Sequence, residues 1–344
     1  MKRLLALILS SLLILSFAAC TKTETASSSS SNAADATAQS EDSSSSAQAN
    51  AGFPKKNIKI IVPFDAGGGV DVTCRIISDA AGKDYFNGNS LIVENMPGGG
   101  AVIGQTNVAN SAPDGYTMLA YTSSVVSNPM FNETTFEYTD FTTIAMYCFD
   151  PELLVVPKDS PYNTLDEFIE GAKNNSLTLS TPGHTTSHHI AALKMEDMMG
   201  MSFNYLHNDG ASAQLQQIMG GHADSALISV GEGAALVADG SIKALGVMSD
   251  DRMDSIPDVS TYKEVGYEMV DGAFRGLAVP KDTPQEVVDA LDAEFNKILN
   301  SQKFIDSMNA AKMPIGYQNS EDFSIYVKGV AEALEKLLPV LKAE

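Results

Sequence analysis

The chain has no tryptophan, only three cysteines, and 22 lysines and arginines set against 43 aspartates and glutamates. The shortage of cations, with a formal net charge of −21, makes it a poor partner for nucleic acid. Its acidity also repels anions at long range, so an anionic ligand would need a strong local site of backbone donors. Two cysteines beyond residue 20 do not make a disulfide framework: Cys74 falls on an apolar helical face and Cys148 in an apolar run, as buried thiols do. No Gly-x-Gly-x-x-Gly occurs and no Lys-Ser/Thr follows the glycine runs, which disfavours nucleotide phosphate. No Gly-x-Ser-x-Gly elbow and no evident Ser-His-acid set supports a hydrolase. All five histidines lie between 184 and 222, yet His184-Thr-Thr-Ser-His188 lacks the acid of a zinc-hydrolase helix, so no metal is expected. His188 is expected to cap or line a cleft and the other histidines to be polar surface.

Long apolar runs are equally scarce. Leu4–Leu15 is short for a membrane span. With Lys2 and Arg3 before it and Ser16-Phe-Ala-Ala-Cys20 after, it reads as a leader over residues 1–19. The Ala-Ala-Cys ending resembles a bacterial lipoprotein signal, implying a lipid on Cys20; the alternative is ordinary secretion with Cys20 discarded. Ser, Ala and Thr make up 21 of the 30 residues from 21 to 50, a composition that cannot bury a core. Residues 20–52 are therefore expected to form a tether, and the folded part to begin near Phe53. What remains is long for one core, so two domains are expected.

The remainder is organised around Ile58-Lys-Ile-Ile-Val-Pro-Phe-Asp-Ala-Gly-Gly-Gly-Val-Asp71. A β-branched strand stops at Pro63, three glycines follow, and from Val70 the positions Val70, Cys74, Ile77 and Ala81 share one helical face. Asp71 is expected to cap that helix. A strand, a glycine turn and a helix start bring free N–H groups and the helix dipole onto one point, where an anion can bind. A tight structural turn uses the same residues.

The pattern recurs. Leu91–Glu94 and Tyr116–Tyr121 read as strands, with a short helix from Ala101 to Asn110 between them. A second unit opens near Leu153–Pro157, where Thr164-Leu-Asp-Glu167 is a capping box. Polar loops follow at Thr181–His188 and Asn208–Ala211, each entering a helix. Thr283-Pro-Gln-Glu286 signals another helix start, with Val288, Leu291, Phe295 and Ile298 as its apolar stripe, and a last helix begins near Glu321. Strand-helix repetition predicts an α/β fold of mostly parallel sheets flanked by helices, with the polar loops gathered at strand C-terminal ends around a cleft.

Four segments then resemble the substrate-binding proteins of tripartite tricarboxylate transporters, the Bug type. They are Val62–Asp71, Val93-Glu-Asn-Met-Pro-Gly-Gly-Gly-Ala-Val-Ile-Gly104, Ala112-Pro-Asp-Gly-Tyr-Thr-Met-Leu119 and Val279-Pro-Lys-Asp-Thr-Pro284. The resemblance implies a two-domain, type II periplasmic-binding-protein-like clamp, with domain 1 over 53–152 plus 276–344 and domain 2 over 153–275. It implies a monomeric, extracytoplasmic receptor that delivers a small carboxylate to membrane permease subunits, with no cofactor and no catalysis. The ligand residues it implies are Phe64, Asp65, Ala66, Gly67, Gly68, Gly69, Asp71, Thr122 and Ser123 from domain 1. From domain 2 they are Thr181, Gly183, Thr186, Ser187, His188, Asn208, Gly210 and Ala211. Two departures stand out. Asp65 replaces a small or apolar residue and disfavours a second ligand charge nearby. Phe274-Arg275 stands where an aromatic pair beginning with Trp is common, and Arg275 either meets a distal carboxylate or sits outside the cleft. A receptor for a membrane sensor kinase, or an extracellular hydrolase or transferase, would be the competing readings.

Overall fold

The computed structural model describes residues 52–341; the expected leader, Cys20 and nearly all of the tether lie outside the described residues. The chain opens β1 (Ile58–Val62), α1 (Gly69–Ala81), β2 (Leu91–Asn95), α2 (Val102–Ala109), β3 (Thr117–Thr122) and α3 (Ser124–Phe131). β1 lies between β2 and β3, parallel to both, with Ile60 opposite Val93 and Met118. Its apolar residues Ile58, Ile60, Ile61 and Val62 are at most 1% exposed, as a strand covered by helices on both faces requires. Cys74, Ile77 and Ala81 bury the inner face of α1. α3 is an addition to the expected elements. It starts directly after β3 and contains Pro129, a residue that reads as a breaker in sequence but falls near the end of this short helix.

β4 (Phe141–Pro157) runs for 17 residues, far beyond the expected Leu153–Pro157. After it come α4 (Leu165–Asn174), β5 (Leu177–Thr181), α5 (Ser187–Met199), β6 (Phe203–His207), α6 (Ala211–Met219), β7 (Ser225–Ser229), α7 (Val230–Ala238) and β8 (Ile242–Val247). β9 (Gly272–Pro280) returns the chain, and α8 (Gln285–Leu299), α9 (Gln302–Ala310) and α10 (Ser320–Leu341) complete it.

The strand order is β2-β1-β3-β9-β4-β7-β5-β6, with β8 on β4. Each end of this order carries three parallel strands: β2-β1-β3 on one side and β6-β5-β7 on the other. β9 runs antiparallel to β3 and β4, and β4 runs antiparallel to β7 and β8. β4 belongs to both halves. Its residues up to Pro151 pair with β9, and those from Glu152 to Pro157 pair with β7 and β8. Each half has its own apolar cores. Ile60, Ile77, Tyr147, Leu291 and Phe295 pack in the first half, and Leu154, Phe168, Leu179 and Met195 in the second.

Local signals fared unevenly. Thr164 caps α4 by accepting from the Glu167 amide at 3.2 Å. The Thr283 box does not form: α8 begins at Gln285, and the Thr283 hydroxyl donates to the Pro280 carbonyl at 2.7 Å. Pro284 explains the difference, since its extended conformation places it outside the helix. Among the described residues no helix is long and apolar enough to cross a membrane.

Candidate functional site

The parallel strands of both halves end at loops that face one another across a cavity of about 40 Å³. Of the residues expected there, Phe64, Gly68, Gly69, Thr122, Ser123, Thr186, Ser187, His188 and Ala211 line it. Val70, Ser124, Pro182, Glu232, Ala273 and Arg275 line it too, and were not expected, apart from the undecided Arg275. The N-terminal turns of α1, α3, α5 and α6 therefore meet at one cavity. Each helix start has N–H groups without an intrahelical partner and carries the positive end of its dipole.

Asp65, Ala66, Gly67, Asp71, Thr181, Gly183, Asn208 and Gly210 are not among the residues that line the cavity. Asp71 corrects the expectation directly. The residue preceding α1 is Gly68, which has no capping side chain; Asp71 lies inside the first turn, accepts from the Gly67 amide at 2.9 Å and pairs with Arg75. It braces the glycine loop. Thr181 bonds the His207 ring at 2.7 Å, and the Asn208 amide donates to the Thr181 carbonyl at 2.8 Å. These residues hold the loops in place.

Carboxylates cross between the halves in both directions. Asp65, from the β1–α1 loop, accepts from the Ala213 amide at 3.1 Å and so sits on the first turn of α6. The Asp65 amide donates to the Asp209 carbonyl at 3.2 Å, and the Ser212 hydroxyl donates to the Ala66 carbonyl at 3.0 Å. A Cβ on Gly210 would lie 1.8 Å from the Asp65 carboxylate, so this approach requires glycine. Glu232, on α7, reaches the opposite way. One of its oxygens caps its own helix at the Ser229 amide, and the other accepts from the Gly69 amide at 3.1 Å, at the start of α1. A Cβ on Gly69 would lie 2.5 Å from that oxygen.

Arg275 on β9 is 1% exposed, and its guanidinium lies 3.0 Å from Asp150 and 3.4 Å from Glu232. One cation thus serves two acids. Burial pushes the Asp150 carboxyl up to about 6 against the opposing pull of Arg275. Beside this group His188 bonds Glu152, which is fully buried. Burial works against the charge on His188, but the charge and hydrogen bond of Glu152 outweigh it, and the histidine ends above its ordinary pKa. Asp150 and Glu152 both lie where β4 passes from one half to the other, which is why a single strand supplies the buried acids that pair with Arg275 and His188.

Of the other histidines, His184, His207 and His222 are exposed, as expected, and His189 alone differs. His189 is 5% exposed, not surface, and packs its ring against His184, His207 and Tyr205 at 4.6–4.9 Å between centroids. Among the described residues no group of three His, Cys, Asp or Glu side chains is placed to hold a metal ion. Cys74 and Cys148 are free, buried thiols, pushed up to about 12 by burial. Glu232 was missed because it looks in sequence like an ordinary first-turn acid of α7; its Ser229-x-x-Glu232 spacing marks a helix start and nothing more.

The profile of the family described as "Tripartite tricarboxylate transporter family receptor" matches residues 74–343. A protein of Cupriavidus necator, "UPF0065 protein in gbd 5'region", is 31% identical over 295 residues, covering 83% of this chain and 86% of that protein. A TctC solute-binding protein from Polaromonas is 32% identical with a TM-score of 0.63, over 83% of this chain and 99% of that one. The periplasmic binding protein BugD is 25% identical with a TM-score of 0.80, over 85% and 99%. With a profile spanning most of its length and a curated relative above 30% identity, this chain belongs to the tripartite tricarboxylate transporter family of receptors.

Proposed function

We propose that the protein captures a small organic acid between its halves, outside the cytoplasm, and hands it to the membrane permease subunits of a tripartite transporter. One observation supports this most: four helix N-termini converge on a single cavity walled by both halves. Backbone donors there supply, in a strongly acidic chain, the local anion affinity that its overall charge opposes. The halves divide as 53–152 plus 276–344 and 153–275, and a ligand bridging them makes the closed form the stable one. Thr122, Ser123, Thr186, Ser187 and the amides of Gly68 and Ala211 are the contacts, with no chemical step at the ligand. A lipid on Cys20 and the tether keep the receptor beside its permease.

Thermal unfolding against a panel of organic acids tests this. The purified protein is first unfolded and refolded to remove carried-over ligand. A ligand at 100 times its Kd adds about 2.7 kcal/mol. At about 2–4 °C per kcal/mol the midpoint should rise by about 5–10 °C, with the compound recovered unchanged. No shift from any acid, or a consumed ligand, refutes the reading.

A further inference from the structure

The seats that a polycarboxylate would use are taken by the protein itself. At the start of α6 the donor is bound to Asp65, and at the start of α1 the Gly69 amide is bound to Glu232. The charges facing the cavity follow suit. Arg275 is shared between Asp150 and Glu232, His188 is matched by Glu152, and Asp65 lies behind Gly68 and Ala211 with one oxygen buried and unpartnered. Acids therefore exceed cations around the ligand. Every added ligand carboxylate meets like charge at short range.

One carboxylate still has a place. The Arg275 Nε–H and the Ser123 hydroxyl are buried without partners, and both residues line the cavity beside the free amides of α3 and α5. Next to them, the Glu232 side chain is 6% exposed and shares the Arg275 guanidinium, 3.4 Å away, with Asp150, while His188, which also feels its charge, is bonded to Glu152. A ligand ammonium placed there would relieve the surplus of acid.

We propose that Glu232 and Asp65 make this cleft select a small monocarboxylate bearing a positively charged nitrogen, in class an amino-acid zwitterion, and reject di- and tricarboxylates. This rests on the receptor reading above. Glu232 takes the ammonium, while Asp65 closes the α6 seat to a second carboxylate.

Titration calorimetry on the ligand-stripped protein tests it with matched pairs: alanine and propionate, leucine and 4-methylpentanoate, aspartate and succinate, with citrate added. At least one amino acid should bind at least tenfold more tightly than its deaminated partner. Glu232→Gln should reduce that ratio at least tenfold while leaving the deaminated acid bound as well or better. Asp65→Asn should strengthen succinate and leave the ratio in the first two pairs unchanged. Circular dichroism establishes that each variant is folded, and the wild-type ratios decide the matter even where a variant is not. Equal binding within every pair, a dicarboxylate or citrate binding most tightly, or an unchanged ratio in folded Glu232→Gln overturns the inference and leaves the receptor standing. Binding of no acid at all removes both.

Discussion

His188 and His189 are consecutive on α5, both 5% exposed, and they behave oppositely. A helix turns about 100° per residue, so neighbours in sequence look into different surroundings. His188 looks into the cleft, where Glu152 holds a proton on the pair. His189 looks away, into a nest of rings where its Nδ1 accepts from the Thr185 amide at 3.0 Å. Burial, with His207 and His184 adding repulsion, lowers it to about 3. Two identical residues thus show that charge at this site is decided by what stands opposite, not by residue type.

The largest effect should come from removing the counter-charge of His188. Glu152→Gln leaves a buried imidazole without its anion and is expected to cost about 3 kcal/mol in urea unfolding at pH 7. NMR titration should then find His188 below, not above, the ordinary histidine value, because burial, with Arg275 beside it, outweighs the remaining pull of Glu232. An unchanged titration would break the comparison.

Next comes the pH profile. His189 has a folded pKa below its unfolded one, so between about 6.5 and about 3 the unfolded chain binds more protons. Stability is present above that window and falls with pH inside it, by at most about 1.4 kcal/mol per pH unit from this residue. His207, lowered to about 4, acts in the same direction. The His188–Glu152 pair acts in reverse. Both members are raised, so the folded state holds the extra proton, and their contribution is lost as pH rises through the folded pKa. His189→Gln should flatten the acid limb of a stability–pH curve and leave the neutral limb alone.

The smallest effect sharpens the same contrast. Thr181→Val removes the hydroxyl that meets the His207 ring at 2.7 Å and is expected to cost about 1 kcal/mol. It should shift the titration of His207 and leave that of His188 unmoved.

Much of the frame was legible in local patterns. The strand Ile58–Val62, the apolar face of α1 at Cys74, Ile77 and Ala81, the Thr164 cap and the stripe of α8 follow from residue type and period alone. Legibility failed where an element's extent depended on partners. The first part of β4 reads weakly because its polar residues Thr142, Thr143 and Asp150 are held by cross-strand pairing with β9. Thr283 failed as a cap because Pro284 keeps the backbone extended before α8 begins.

The sequence by itself determined the family, the succession of strands and helices, and the glycine loops at strand ends, because these rest on contacts between residues close in the chain. Tertiary structure alone decided the character of the cleft. Asp65 meets Ala213, Glu232 meets Gly69, and Arg275 meets Asp150 and Glu232 across separations of 43 to 163 residues. No local pattern encodes such encounters. They arise when two sheets that share β4 bring distant helix starts together, which sets acids that look ordinary in sequence against backbone donors and a buried arginine.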